Sequence, residues 1–160
     1  MSLRLATTSL LIVLLAPGIA ESQAPSAGGS EHEVRVVIDR LFDGMRNADS
    51  AMVRSALASG ARFASVDARS TPPAIKFESP DGWIAAIANS AKRWDERLFD
   101  VQIRVTGNIA QAWTPYTFYV DGKIRHCGVD SMELLRDATG WKITQLSDTQ
   151  VREGCREVPR

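Results

Sequence analysis

Cysteine, histidine and tyrosine are scarce in this chain, with two of each in 160 residues. Ligands as few and as scattered as His32, His126, Cys127 and Cys155 offer no spacing for a structural or catalytic metal. No Gly-rich phosphate loop is present, and no Gly-x-Ser-x-Gly turn that would expose a nucleophilic serine. An excess of one charge is missing too: 19 basic residues stand against 19 acidic ones. That balance excludes the electrostatic footprint of a nucleic-acid binder and leaves no polybasic run for anionic lipid. Beyond the first twenty residues no apolar run is long enough to span a bilayer, and no internal repeat is visible.

The N-terminus reads as an export signal. Arg4 supplies the positive end, Leu5 to Ala16 is almost wholly apolar, and Gly18-Ile19-Ala20 offers small residues for cleavage. Residues 1–20 are therefore expected to be a signal peptide, and the protein to be periplasmic or secreted, off the membrane once cleaved. Glu21 to Ser30 is rich in Ser, Ala, Gly and Pro and reads as a disordered spacer. One domain is expected over residues 31–155, with residues 156–160 as a tail. In an oxidising compartment two cysteines favour a disulfide, and a tail curling back from the last strand brings Cys155 to Cys127.

Apolar periodicity predicts a helix over Glu33 to Arg46, with Val34, Val37, Ile38, Leu41, Phe42 and Met45 on one stripe. A second short helix is capped by Asp49 or Ser50 and stops at Gly60. Ala61 to Val66 reads as a strand, and Asp67 to Phe77 as a loop over a cup mouth, with room for a short strand at its end. Ser79, Pro80 and Asp81 mark a third helix start, with Trp83, Ile84, Ile87, Ala91 and Trp94 inward. Trp94-Asp95-Glu96-Arg97 then reads as a helix end with its charges in solvent. Four strands follow: Leu98 to Val105, Ile109 to Val120, Lys123 to Arg136, and Trp141 to about Val151. Asp121-Gly122 is a type I′ hairpin signal. The fold class is α+β, an antiparallel sheet with helices on one face.

Hairpin registers counted from the turns place Trp113, Thr117, Tyr119, His126, Asp130, Met132 and Ser147 on one face, the one with the larger apolar anchors. With Trp83 from the third helix they are the expected lining of a ligand pocket. Asp130 and His126 are the candidate catalytic groups, since a desolvated carboxylate suits general-base work and an imidazole can donate or accept near neutral pH. Four residues apart on a strand they stand about 13 Å from one another, so they flank a ligand and form no dyad. A one-residue bulge would exchange the two faces. No cofactor is expected.

The element order, with Val37-Ile38-Asp39-Arg40-Leu41-Phe42-Asp43-Gly44-Met45, Ser79-Pro80-Asp81-Gly82-Trp83, His126-Cys127-Gly128-Val129-Asp130 and Gly140-Trp141-Lys142-Ile143, resembles the nuclear transport factor 2-like superfamily. Within it, the chain is similar to the SnoaL-like group and to the small family labelled lumazine-binding. The resemblance covers about Glu31 to Arg152. It implies a conical α+β barrel, a curved antiparallel sheet with about three helices on its concave face, and a homodimer through the open sheet face. Its members include ketosteroid isomerases, dehydratases, polyketide cyclases, epoxide hydrolases and binding domains. The isomerase pattern requires a pocket tyrosine and two acids, of which the sequence places only Asp130.

Three functions follow in order. The first is an exported domain binding a small apolar or aromatic molecule. The second is a cofactor-independent lyase, isomerase or hydrolase using Asp130 and His126. The third is an accessory domain docking a protein partner.

Overall fold

The computed structural model describes residues 27–67 and 71–159. The expected signal peptide, and the expected spacer up to residue 26, lie outside them. Helix α1 spans Ala27–Arg46, starting six residues before the expected start at Glu33. Ser30 is buried in it, and a small hydroxyl residue gives no hydrophobic signal for such a position. The stripe itself is as expected: Val34, Val37, Ile38, Leu41, Phe42 and Met45 are all buried. Helix α2 (Ser50–Ala56) is capped by Asp49, whose carboxylate accepts the Met52 amide at 2.9 Å. The two helices touch at Gly44, where a β-carbon would stand 2.8 Å from Val53 Cγ2.

Strand β1 (Leu57–Asp67) begins where α2 ends. Gly60 therefore lies inside a strand, at φ +79°, and does not terminate a helix. It falls where the pairing of β1 shifts register, an irregularity that its backbone freedom accommodates. Strand β2 (Ala74–Glu78) pairs antiparallel with β1. Helix α3 (Pro80–Asn89) has Ser79 as its N-cap and buries Ile84 and Ile87. It ends before Ala91 and Trp94. Trp94–Leu98 is strand β3, so the expected charged helix end is a strand. Its pattern explains why: Trp94, Glu96 and Leu98 alternate with Asp95 and Arg97, the period of a strand.

Strands β4 (Gln102–Thr106), β5 (Ile109–Val120), β6 (Lys123–Asp137) and β7 (Gly140–Val151) complete the chain. Asp121 and Gly122 both have positive φ, as the type I′ turn requires. The sheet order is β2-β1-β7-β6-β5-β3, with β4 beside β3 on the same neighbour, β5. Neighbours are antiparallel except β1 and β7, which are parallel. The sheet is thus mixed, not purely antiparallel, and it curves without closing into a barrel. The three helices pack on its concave face, over a core that includes Leu41, Met132, Leu134 and Ile143.

Two bulges set the faces. In the β5–β6 ladder Tyr119 pairs with Ile124 but Phe118 with His126, so Arg125 is extra. In the β6–β7 ladder Leu134 pairs with Ile143 but Glu133 with Gln145, so Thr144 is extra. Beyond each bulge the register moves by one residue, and every partner on the neighbouring strand changes face. Concave rows run Thr114–Asp130–Asp148–Ser65 and Ala112–Met132–Leu146–Phe63, with Tyr116–Gly128–Gln150 above them.

The tail folds over the convex side. Cys155 is bonded to Cys127. Thr117 Oγ1 donates to the Arg156 carbonyl at 2.7 Å, and the Val158 amide donates to Tyr119 Oη at 2.9 Å. Arg97 also donates to the Val158 carbonyl.

Candidate functional site

Between the helices and the concave face lies a cavity of about 260 Å³. One part of its wall is apolar. Phe42 and Met45 come from α1, Phe63 from β1, Trp83 from α3, Trp94 from β3, Phe118 from β5 and Leu146 from β7. The rings brace one another edge to face: Phe63 against Trp83 with centroids at 5.4 Å, and Trp94 against Phe118 at 5.9 Å.

The other part is polar. Glu96, Tyr116, His126, Asp130, Asp148 and Gln150 line it, with Glu78. Asp130 is 3% exposed. Its carboxyl shares a hydrogen bond with that of Glu96 and accepts from Thr114 Oγ1 at 3.4 Å. Two carboxyls can bond in this way only if one keeps its proton. Burial, reinforced by the charge of Asp148, pushes Asp130 up to about 8, against the hydrogen bonds from Glu96 and Thr114. Burial and the neighbouring acids hold Glu96 well above the usual carboxylate range. Asp148 is raised by burial as well, while hydrogen bonds from Gln150 and Tyr116 work against the rise.

Tyr116 Oη reaches across β6 to Asp148 Oδ2 at 3.4 Å and to the Thr149 carbonyl at 3.3 Å. Burial and the surrounding carboxylates raise its phenol, so it stays a donor. His126 stacks its ring 4.8 Å from Phe118 and 5.8 Å from Tyr116. Among the described residues no group of three or more His, Cys, Asp or Glu side chains is arranged to hold a metal ion. The polar end can therefore give and take protons through its acids, and donate a hydrogen bond from Tyr116.

Of the residues expected at a pocket, Trp83, His126 and Asp130 line this cavity. Met132 faces the concave side but sits in the core beneath it. Trp113, Thr117, Tyr119 and Ser147 do not belong to it. Trp113 is half-exposed on the convex face, paired with Ser131, which in turn pairs with Ser147. Thr117 and Tyr119 are buried under the C-terminal tail. The bulges at Arg125 and Thr144 are the reason, since each exchanges the face of the strand opposite Asp130. Glu96, Tyr116 and Asp148 are the groups that sequence reasoning missed. The alternation within Trp94–Leu98 was the available signal for Glu96.

No family model matches the chain, and no curated protein is a significant match. Solved structures do match. A nuclear transport factor 2-like protein of unknown function from Shewanella baltica is 16% identical, with a TM-score of 0.62 over 80% of this chain and 98% of its own. A candidate dehydratase of the nuclear transport factor 2-like family from Streptomyces avermitilis is 16% identical, with a TM-score of 0.61 over 76% and 95%. A candidate aromatic ring hydroxylase from Novosphingobium aromaticivorans is 15% identical, with a TM-score of 0.61 over 81% and 92%.

Proposed function

We propose, for a chain that has the nuclear transport factor 2-like fold, that its concave cavity binds a small, largely apolar molecule carrying one polar group. The observation that carries this reading is the division of the cavity wall: a ring-lined side formed by Phe63, Trp83, Trp94 and Phe118, and a polar end of acids with Tyr116. Ligand pockets are mostly apolar with a few convergent polar groups, and at about 260 Å³ the occupant is compact. A thermal-shift screen of small aromatic and alicyclic compounds tests it. Binders are expected to raise Tm in the full chain and to lose that effect in Trp83→Ala. A cavity that no compound stabilises would count against the reading.

A second reading is favoured by the hydrogen-bonded Glu96 and Asp130 pair. Carboxyls held protonated in an apolar site are suited to proton transfer without a cofactor, so the bound molecule is also turned over by a lyase or isomerase step. Glu96 joins Asp130 in that role, with Tyr116 as a hydrogen-bond donor to developing charge. Unchanged turnover in Asp130→Asn would exclude Asp130 from the proton transfer.

The proposal also takes the protein to be exported. The disulfide and the lack, among the described residues, of a helix long and apolar enough to cross a membrane are compatible with export. The reading includes a homodimer through the convex sheet face, where Ile109, Trp113 and Leu135 are exposed. Sedimentation analysis would test it.

A further inference from the structure

The cavity wall is unbalanced in charge. Glu78, Glu96, Asp130 and Asp148 line it, and among the described residues no Lys or Arg does. Elsewhere the same chain matches a buried acid with bases: Asp95, 2% exposed, is held by Arg46 at 2.7 Å and Arg97 at 2.9 Å. Ionised carboxylates taken out of water without counter-charge are costly, and proteins avoid the cost by keeping them protonated. Glu96 and Asp130 do this, sharing a hydrogen bond that requires a proton. A proton in that position can be replaced by any cation that brings its charge to the same place.

The second observation is independent of the acids. Aromatic rings line the same cavity in two edge-to-face pairs, Phe63 with Trp83 and Trp94 with Phe118. Ring faces attract cations, and more strongly when water is excluded. They do not ligate metals, and no metal-binding group is present among the described residues. An anionic ligand would face four carboxyls with no Lys or Arg to receive it.

We propose that the ligand of this cavity is a compact organic cation, a protonated amine or quaternary ammonium on a small apolar frame. This deepens the binding reading and rests on it. The charged head displaces the proton shared by Glu96 and Asp130, which leaves to solvent. The apolar frame lies among the rings. Affinity for a permanent cation therefore rises with pH through the range in which the pair titrates. The groups facing the pair set that range: Asp148 from β7, Glu78 from β2, Tyr116 from β5 and His126 from β6, while α1 and α3 present only Phe42, Met45 and Trp83. Tyr116, raised by burial and the surrounding carboxylates, stays protonated throughout.

Calorimetric titration of the full chain with benzylamine, benzyl alcohol and benzoate holds the frame constant and varies the charge. Benzylamine is expected to bind about tenfold or more tighter than benzyl alcohol, with no binding of benzoate. Benzyltrimethylammonium, which has no proton of its own to lose, is expected to bind tighter with rising pH, approaching about tenfold per pH unit where one proton is released. Glu96→Gln and Asp130→Asn, tested separately, are each expected to weaken that pH dependence and the preference for charge while benzyl alcohol still binds. Benzyl alcohol or benzoate binding as well as benzylamine would overturn the proposal and leave the binding reading standing. No binding of any of the four would overturn both.

Discussion

Tyr116 lies across Gly128. A β-carbon at position 128 would stand 3.0 Å from the Tyr116 hydroxyl and 1.7 Å from the Thr149 carbonyl oxygen. The glycine is therefore a gap in β6, through which a side chain from β5 reaches β7. Side-chain atoms at position 128 would push β7 away and break the contact of Tyr116 with Asp148 and Thr149. Gly128→Ala is expected to destabilise the fold by about 3 kcal/mol, measured by urea denaturation. A loss below about 0.5 kcal/mol, the range of an ordinary surface substitution, would show that β7 yields freely.

Asp130 makes stability depend on pH in an unusual direction. An unfolded aspartate titrates near about 3.9, whereas burial holds this one up to about 8. Between those values the folded protein keeps a proton that the unfolded chain has released. The stabilisation is complete below the lower value and is lost as pH rises to the upper one. Melting temperature is expected to fall from about pH 5 to about pH 8, and to fall less in Asp130→Asn, which should match or exceed the wild type near pH 8. Melts followed by circular dichroism across that window check it. Parallel curves for the two proteins would contradict it.

Asp95 has the opposite character. Burial alone would raise it, but the hydrogen bonds and charges of Arg46 and Arg97 outweigh burial and lower it. Its contribution is present at neutral pH and is lost as pH falls through its depressed value. Asp95→Ala leaves Arg97 without a carboxylate and Arg46 with Asp43 alone, and is expected to cost about 3 kcal/mol. Denaturant titration at neutral pH gives the figure directly, and a loss near zero would mean that solvent takes over both arginines.

Reduction of the Cys127–Cys155 disulfide frees the tail. For a separation of 28 residues, the chain-entropy estimate is about 3.5 kcal/mol of lost stability. Thr117 and Tyr119, buried under the tail, should then become accessible. Cys155→Ser compared with the wild type, by denaturation and by tyrosine fluorescence quenching, tests both effects. Stability unchanged within about 0.5 kcal/mol would mean that the hydrogen bonds to Arg156 and Val158 hold the tail unaided.

The strands and helices were largely legible because their signals are local. The stripe from Val34 to Met45, the Ser79-Pro80 start and the Asp121-Gly122 turn each act within a few residues. The site was legible in part. Asp130, His126 and Trp83 line the cavity as the sequence suggests, but the faces of β5 and β7 depend on counting from the turns. One extra residue at Arg125 and another at Thr144 defeat such a count, and neither carries a glycine or proline to announce a bulge. Glu96 was hidden for a different reason. Charged residues between Trp94 and Leu98 suggest solvent and mask the strand alternation there; their partners are tertiary, Arg46 for Asp95 and Asp130 for Glu96.

The parallel pairing of β1 with β7 also imposes an order in time. Phe63 beside Leu146, and Ser65 beside Asp148, form one wall of the cavity from segments about eighty residues apart. A chain delivered from its N-terminus presents β1 early and β7 last, so the first of these strands waits unpaired on that side until nearly all the rest has emerged. The helices and the β5–β6 hairpin can assemble from neighbours in sequence. The cavity wall is complete only once β7 has paired, and a chain that stops before Gly140 would have the aromatic side of its wall without Leu146, Asp148 or Gln150.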